Sequence, residues 1–251
     1  FEGIRAYETA DGPAVFRLTD HIKRMLNSAH ILGMKIPYTV DELVQAVKDT
    51  VKSTGLPGCY IRPIAYYGYG EMGLNTLPCR VDVAIACWPW GAYLGDDAHE
   101  KGVRMKISSW TRHDHNTMPP AAKTVGNYVN SSLAKVEALK AGYDEAILLN
   151  NEGLVSECTG ENLFVVRNGR IITPPLSAGA LEGITVLDVG RVVAGPVTAF
   201  YLAALGADVK AGAEDAKGGL TDLADAGALA GTGIKDGAED AKAGLNDAED
   251  A

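Results

Sequence analysis

The sequence predicts a mixed α/β (α+β) fold, and three observations carry that reading. Strand-like runs rich in aromatic and β-branched residues, at 60–69 and 81–87, alternate with helix-like runs whose apolar residues recur every three or four positions. Glycine turns, Ala10-Asp11-Gly12 and Asn168-Gly169, stand between short strand-like segments. The chain has 251 residues, 47% hydrophobic and 22% charged, which is enough for two modest domains with ordinary cores.

Taken in order, residues 1–8 and 12–17 read as two strands joined by the first turn. Thr19 or Asp20 is placed to cap a helix running to about Leu32, with Ile22, Met25, Leu26, Ala29 and Ile31 at helical spacing and Gly33 as its stop. Asp41 opens a second helix with Leu43, Val44 and Val47 on one face. The strands at 60–69 and 81–87 complete a small α/β domain over 1–95, and the polar run 96–103 is its linker. A strand at 103–110, a long loop at 111–128, a helix from about Ser131 to Ala141, a strand pair around Asn151-Glu152-Gly153 and a hairpin around Asn168-Gly169 make a second domain over 104–185.

Composition narrows the classes. No apolar run reaches the ~20 residues a membrane-spanning helix needs, and the run 189–205 is broken by Arg191, Gly195 and Pro196. The chain starts at Phe1 with no secretory leader pattern. Cys59, Cys79, Cys87 and Cys158 lack metal-ligand spacing and read as reduced thiols of a cytoplasmic protein. His113 and His115 flank Asp114, but no further ligand lies near, so no metal is expected. Of the net charge of −9, ten acids against three lysines in 211–251 account for −7. No basic face accumulates, so nucleic acid is not an expected partner.

The loop 111–128 holds the reactive candidate. In Pro119-Pro120-Ala121-Ala122-Lys123-Thr124-Val125-Gly126-Asn127-Tyr128, one lysine stands among small, apolar and amide side chains. Such surroundings strip hydration from an ammonium and favour the free amine as a nucleophile. A second dense string is Val155-Ser156-Glu157-Cys158-Thr159-Gly160-Glu161-Asn162. Arg24 lies in His21-Ile22-Lys23-Arg24-Met25-Leu26, and Leu181-Glu182-Gly183-Ile184-Thr185 reads as a turn into a helix N-terminus, an arrangement suited to an anion. Each alone also reads blandly: a surface lysine, glutamates in a polar turn, a solvated helix arginine, a capped helix start.

Together these strings resemble the branched-chain aminotransferases, fold-type IV enzymes that use pyridoxal 5′-phosphate (PLP), over residues 1–185. The resemblance implies a small α/β domain and part of a large PLP-binding domain. It implies Lys123 as the amine that engages the cofactor aldehyde and moves the α-proton. Tyr128 would donate to the cofactor's phenolic oxygen, and Glu157 would face the ring nitrogen. Arg24, Gly183, Ile184 and Thr185 would hold the phosphate. Gly3, Tyr60, Arg62 and Tyr93 would line the substrate pocket. The activity implied is transamination of leucine, isoleucine and valine with 2-oxoglutarate by a homodimer, and Pro89–Gly95 favours this group over the sister D-amino acid aminotransferases and aminodeoxychorismate lyases.

Departures accompany the resemblance. Val186 stands where the family usually has an arginine, and no "GTAAE"-like string follows. Instead, 186–209 is similar to the opening of family III CoA-transferases, with an Ala194-Gly195-Pro196 turn and Leu205-Gly206-Ala207-Asp208-Val209. Residues 210–251 form an acidic Ala/Gly/Asp-rich tail in which 212–220 recurs nearly unchanged at 237–245, a composition expected to be irregular or weakly helical. Two further readings therefore stand beside the first: a truncated or chimeric aminotransferase core without activity, and a CoA-transferase fragment.

Overall fold

The computed structural model describes residues 1–183, apart from 92–93, 95–97 and 168–169. Expectations for 184–251, including the CoA-transferase-like segment and the acidic tail, lie outside the described residues.

The first half is a four-stranded antiparallel sheet backed by two helices. Strands β1 (Ile4–Tyr7), β2 (Ala14–Val15), β3 (Cys59–Tyr67) and β4 (Val81–Trp88) order as β2-β1-β3-β4. Gly12, at φ 104°, makes the turn between β1 and β2. In β1, Ile4 and Ala6 alternate inward, and β3 sends Cys59 and Ile61 to the same face. Helix α1 (Leu18–Ile31) covers that face with Ile22, Met25 and Ala29, and α2 (Val40–Thr54) adds Leu43, Val47 and Val51.

Two expectations for α1 change. The helix starts before Thr19: Arg17 takes the cap position in the left-handed region, with no side-chain cap, and its Nε bonds Asp20 at 2.5 Å. Ile31 is exposed and takes no part in the core that Ile22, Met25 and Ala29 join. Helix α2 opens on a capping box: Thr39 Oγ1 accepts from the Glu42 N–H at 3.3 Å, and the Glu42 carboxylate accepts from the Thr39 N–H at 2.8 Å.

The second half is built around a three-stranded sheet, β5-β6-β7. A helical turn, α3 (Ala98–Lys101), occupies part of the expected linker, and Ala98 packs beside Cys158 and Leu163. Strand β5 (Met105–Ile107) pairs in parallel with β6 (Glu145–Leu149), and β6 pairs antiparallel with β7 (Val155–Cys158). Helix α4 (Asn127–Lys140) returns the chain from β5 to β6. It packs on β6 through small side chains, with Ala134 and Ala138 of the helix fully buried in one cluster with Ala146 and Leu148 of the strand. A hairpin of β8 (Val165–Arg167) and β9 (Arg170–Ile172) follows, then a 3-10 turn over Leu176–Ala178.

The helix bearing Tyr128 begins four residues earlier than the sequence reading places it. Asn127 N–H already donates to the Thr124 carbonyl at 3.2 Å, so Tyr128 stands in the first turn of α4 rather than in the loop. The strand β7 likewise extends past Ser156 and takes in Glu157.

Candidate active site

Lys123 ends the loop that feeds α4, and its main chain is held at several points. Its N–H donates to Ser28 Oγ on α1 at 2.9 Å, and its carbonyl accepts from the Phe1 main-chain nitrogen at 3.0 Å. The Asn127 side-chain amide, buried in the first turn of α4, donates to the carbonyls of Pro119 (3.2 Å) and Ala122 (2.9 Å). The loop geometry is thus fixed by partners on both sides, and the lysine side chain is aimed rather than free.

The Lys123 amine meets the Tyr128 hydroxyl at 2.5 Å. It also stands 5.0 Å from the centre of the Phe1 ring, which packs against Tyr128 with centroids 5.1 Å apart. These groups face a cavity of about 440 Å³ that Gly3, Tyr60 and Arg62 also line. Arg62 lies over the Phe1 ring at 4.5 Å, and its Nη2 donates to Tyr60 Oη at 2.6 Å. Its Nε is buried and has no hydrogen-bond partner among the described residues. Tyr60 is wedged among Trp88, Trp90 and the backbone of Gly3. A Cβ on residue 3 would stand 2.2 Å from the Tyr60 hydroxyl, so only glycine leaves the phenol where it is.

Glu157 is not a surface glutamate. It is buried in β7, where Arg112 Nη2 reaches its Oε1 at 2.6 Å and the Leu181 N–H donates to its Oε2 at 2.8 Å. Burial pushes its carboxyl above the ordinary range, and Arg112, the Leu181 amide and Lys123 oppose that shift without cancelling it. Arg112 is itself buried and also donates to the Gly179 carbonyl and Ser131 Oγ, both at 3.3 Å.

Arg24, on α1, spans between two parts of the chain. Nε and Nη2 donate to the two oxygens of Glu2 at 2.6 and 2.7 Å, and Nη1 donates to the Glu182 carbonyl at 2.8 Å. The arginine therefore ties α1 to the main chain at Glu182. A guanidinium has five N–H donors, so two remain beyond these three bonds. Glu2 is fully buried and also meets His21 Nδ1 at 2.8 Å. Burial alone raises its pKa, but the hydrogen bonds from Arg24 and His21 outweigh it and hold Glu2 down at about 2.

The structure thus brings Lys123, Tyr128, Gly3, Tyr60 and Arg62 to one cavity. Arg24, Glu157 and Gly183 are described but do not line it. Tyr93, Ile184 and Thr185 lie outside the described residues. Glu2, Ser28, Arg112 and Asn127 are not singled out by the sequence reading. Ser28 and Arg112 have no signal there, while Asn127 stands in the Lys123 string and Glu2 stands beside Gly3, each without a role of its own. Among the described residues, no cluster of three or more His, Cys, Asp or Glu is arranged to hold a metal ion. All four cysteines are free, and no helix among the described residues is long and apolar enough to cross a membrane.

Comparison with known proteins agrees with this geometry. The family model described as amino-transferase class IV matches residues 1–191, and that of CoA-transferase family III matches 181–211. A branched-chain-amino-acid aminotransferase of Pseudomonas aeruginosa is 46% identical over 185 residues, covering 74% of this chain and 60% of that protein. The enzyme of that name from Escherichia coli K12 is 45% identical over 186 residues, with the same coverage. The crystal structure of an Escherichia coli branched-chain amino acid aminotransferase superposes with a TM-score of 0.71 at 44% identity, covering 73% of this chain and 60% of that one. That of the Thermobaculum terrenum enzyme in its PLP form gives 0.67 at 37% identity, with the same coverage. The chain spans about 60% of the length of the curated relatives it matches. The fold of the described residues is that of the fold-type IV aminotransferases, and the chain belongs to the class IV aminotransferases.

Proposed function

We propose that the chain carries the amine half of a PLP-dependent transaminase site, and that its reaction is amino transfer between branched-chain L-amino acids and 2-oxoglutarate. The observation that carries this reading is the Lys123 amine held on the Tyr128 hydroxyl at 2.5 Å over the cavity. The residues fit the cofactor's chemistry. An amine and a phenol stand together at the cavity, and outside its lining stand a buried carboxylate of the type that faces a ring nitrogen and an arginine that keeps two donors for a phosphate.

PLP, when bound, supplies an electron sink for negative charge at the substrate α-carbon. The chain's own groups do the rest. Lys123 would be the amine that meets the aldehyde and carries the proton at the α-carbon, and Tyr128, which already accepts from that amine, would donate to the phenolic oxygen. Glu157, buried and steadied by Arg112, would face the ring nitrogen and its proton. Arg24, with Gly183, Ile184 and Thr185, would hold the phosphate. Tyr60, Arg62 and Gly3, with Tyr93, shape the substrate side. The unpartnered Arg62 Nε suits the second carboxylate of a dicarboxylic substrate, and the aromatic walls suit a branched apolar one.

The division into a small domain (1–95), a linker (96–103) and a partial large domain (104–185) is part of this reading, as are a cytoplasmic location and a homodimer. The dimer is supported by Tyr69, Met72, Leu74 and Leu77, four highly exposed apolar side chains on the one loop between β3 and β4. Transamination of leucine with 2-oxoglutarate, compared between the native chain and Lys123→Ala, tests the activity. A loss of roughly a thousandfold or more is expected for a residue that performs the chemistry. An unchanged rate sinks the assignment.

A second reading, a chimeric core that turns nothing over, is supported by the CoA-transferase match at 181–211. A folded native chain with no turnover in the same assay favours it.

A further inference from the structure

Helix α1 meets the candidate site twice. Arg24 and Ser28 are four residues apart, one turn along the same face. Arg24 reaches the Glu182 carbonyl at the edge of the phosphate turn, and Ser28 Oγ accepts the N–H of Lys123 across 95 residues of sequence. Ser28 is only 3% exposed, so water does not compete for this bond. The Lys123 amide lies before the first turn of α4 and has no place in that helix's ladder. From the far side, Asn127 ties the carbonyls of Pro119 and Ala122, which leaves Ser28 as the contact that ties the Lys123 amide to α1.

We infer that Ser28 is a positioning residue for Lys123: through its hydroxyl, the helix that carries the phosphate arginine also sets where the reactive amine stands. The two ends of the cofactor, phosphate and aldehyde, are then gauged by one rigid turn of α1. This inference rests on the PLP reading above. It differs from a merely structural role for a buried serine, because it concerns the aldehyde end of the ligand and not the phosphate end.

The test uses the full chain and two ligands. PLP has both phosphate and aldehyde. Pyridoxamine 5′-phosphate has the phosphate and ring but nothing for the lysine to engage. Equilibrium titration of native chain and Ser28→Ala with each is expected to show PLP binding weakened about tenfold and pyridoxamine 5′-phosphate binding changed by less than about twofold. Ser28→Cys, of nearly the same size but a weaker acceptor, is expected between native and Ser28→Ala for PLP alone. Equal weakening of both ligands, or of neither, overturns the inference while leaving the PLP reading intact. Binding of neither ligand by the unsubstituted chain overturns the PLP reading, and this inference with it.

Discussion

The Glu2 carboxylate grips Arg24 through both of its oxygens, at 2.6 and 2.7 Å, with no exposure to water. This pair holds the arginine whose Nη1 reaches the Glu182 carbonyl. Its energetics follow from the depressed Glu2 pKa. Because the folded value of about 2 lies below the ordinary 4.5, the stabilisation is fully present above about pH 4.5 and is lost as pH falls toward 2. Glu2→Gln is therefore expected to cost roughly 3 kcal/mol at pH 7. Denaturant melts of both proteins across pH 2–7 check this. The difference should shrink steadily on acidification, and a difference independent of pH contradicts it.

The Arg112–Glu157 pair behaves in the opposite sense. Glu157 is raised by burial, so its ionised form is the costly one, and stability is lost as pH rises through its folded pKa. Arg112→Met keeps the volume but leaves the buried carboxylate only the Leu181 amide and the charge of Lys123. A loss of roughly 3 kcal/mol near pH 8 is expected, with partial recovery toward pH 5 as Glu157 takes up a proton. Adding Glu157→Gln should restore much of the loss at pH 8, and failure of that rescue counts against the pairing.

Gly3→Ala tests the substrate side alone. The new methyl meets the Tyr60 hydroxyl, which must leave Arg62 to make room. Substrate affinity should fall about tenfold or more while PLP capture at Lys123 stays within about twofold, read as KM against cofactor titration. Equal damage to both places Gly3 in the scaffold rather than at the substrate wall.

Thr39→Ala removes the hydroxyl half of the capping box on α2, far from the cavity. About 1 kcal/mol is expected, which lowers the melting temperature by roughly 2–4 °C without altering PLP binding. A changed cofactor affinity argues that the small domain's outer helix communicates with the site.

Where function sits on local strings, the sequence is legible. The alternation of β1 and β3 and the helical spacing of Ile22, Met25 and Ala29 place the first sheet and its covering helix. The Lys123 string marks the lysine that the fold sets at the cavity. The misses have a common cause, because each depends on backbone or partners that no local string marks. Glu157 reads as part of a polar turn until Arg112, 45 residues away, is seen beside it. Arg112 itself has no local mark. Tyr128 reads as loop because the Thr124–Asn127 turn continues directly into α4, which no cap residue announces. The start of α1 is displaced because Arg17 adopts a left-handed conformation that asparagine and glycine usually take.

The most direct test of the central claim is chemical capture. The native chain is incubated with PLP, reduced with borohydride, digested and mapped. The account requires the label on Lys123, with Tyr128→Phe still labelled there but more slowly. Soluble, folded chain that carries no label, or carries it on other lysines in proportion to their exposure, contradicts the claim that these residues assemble a working amine site.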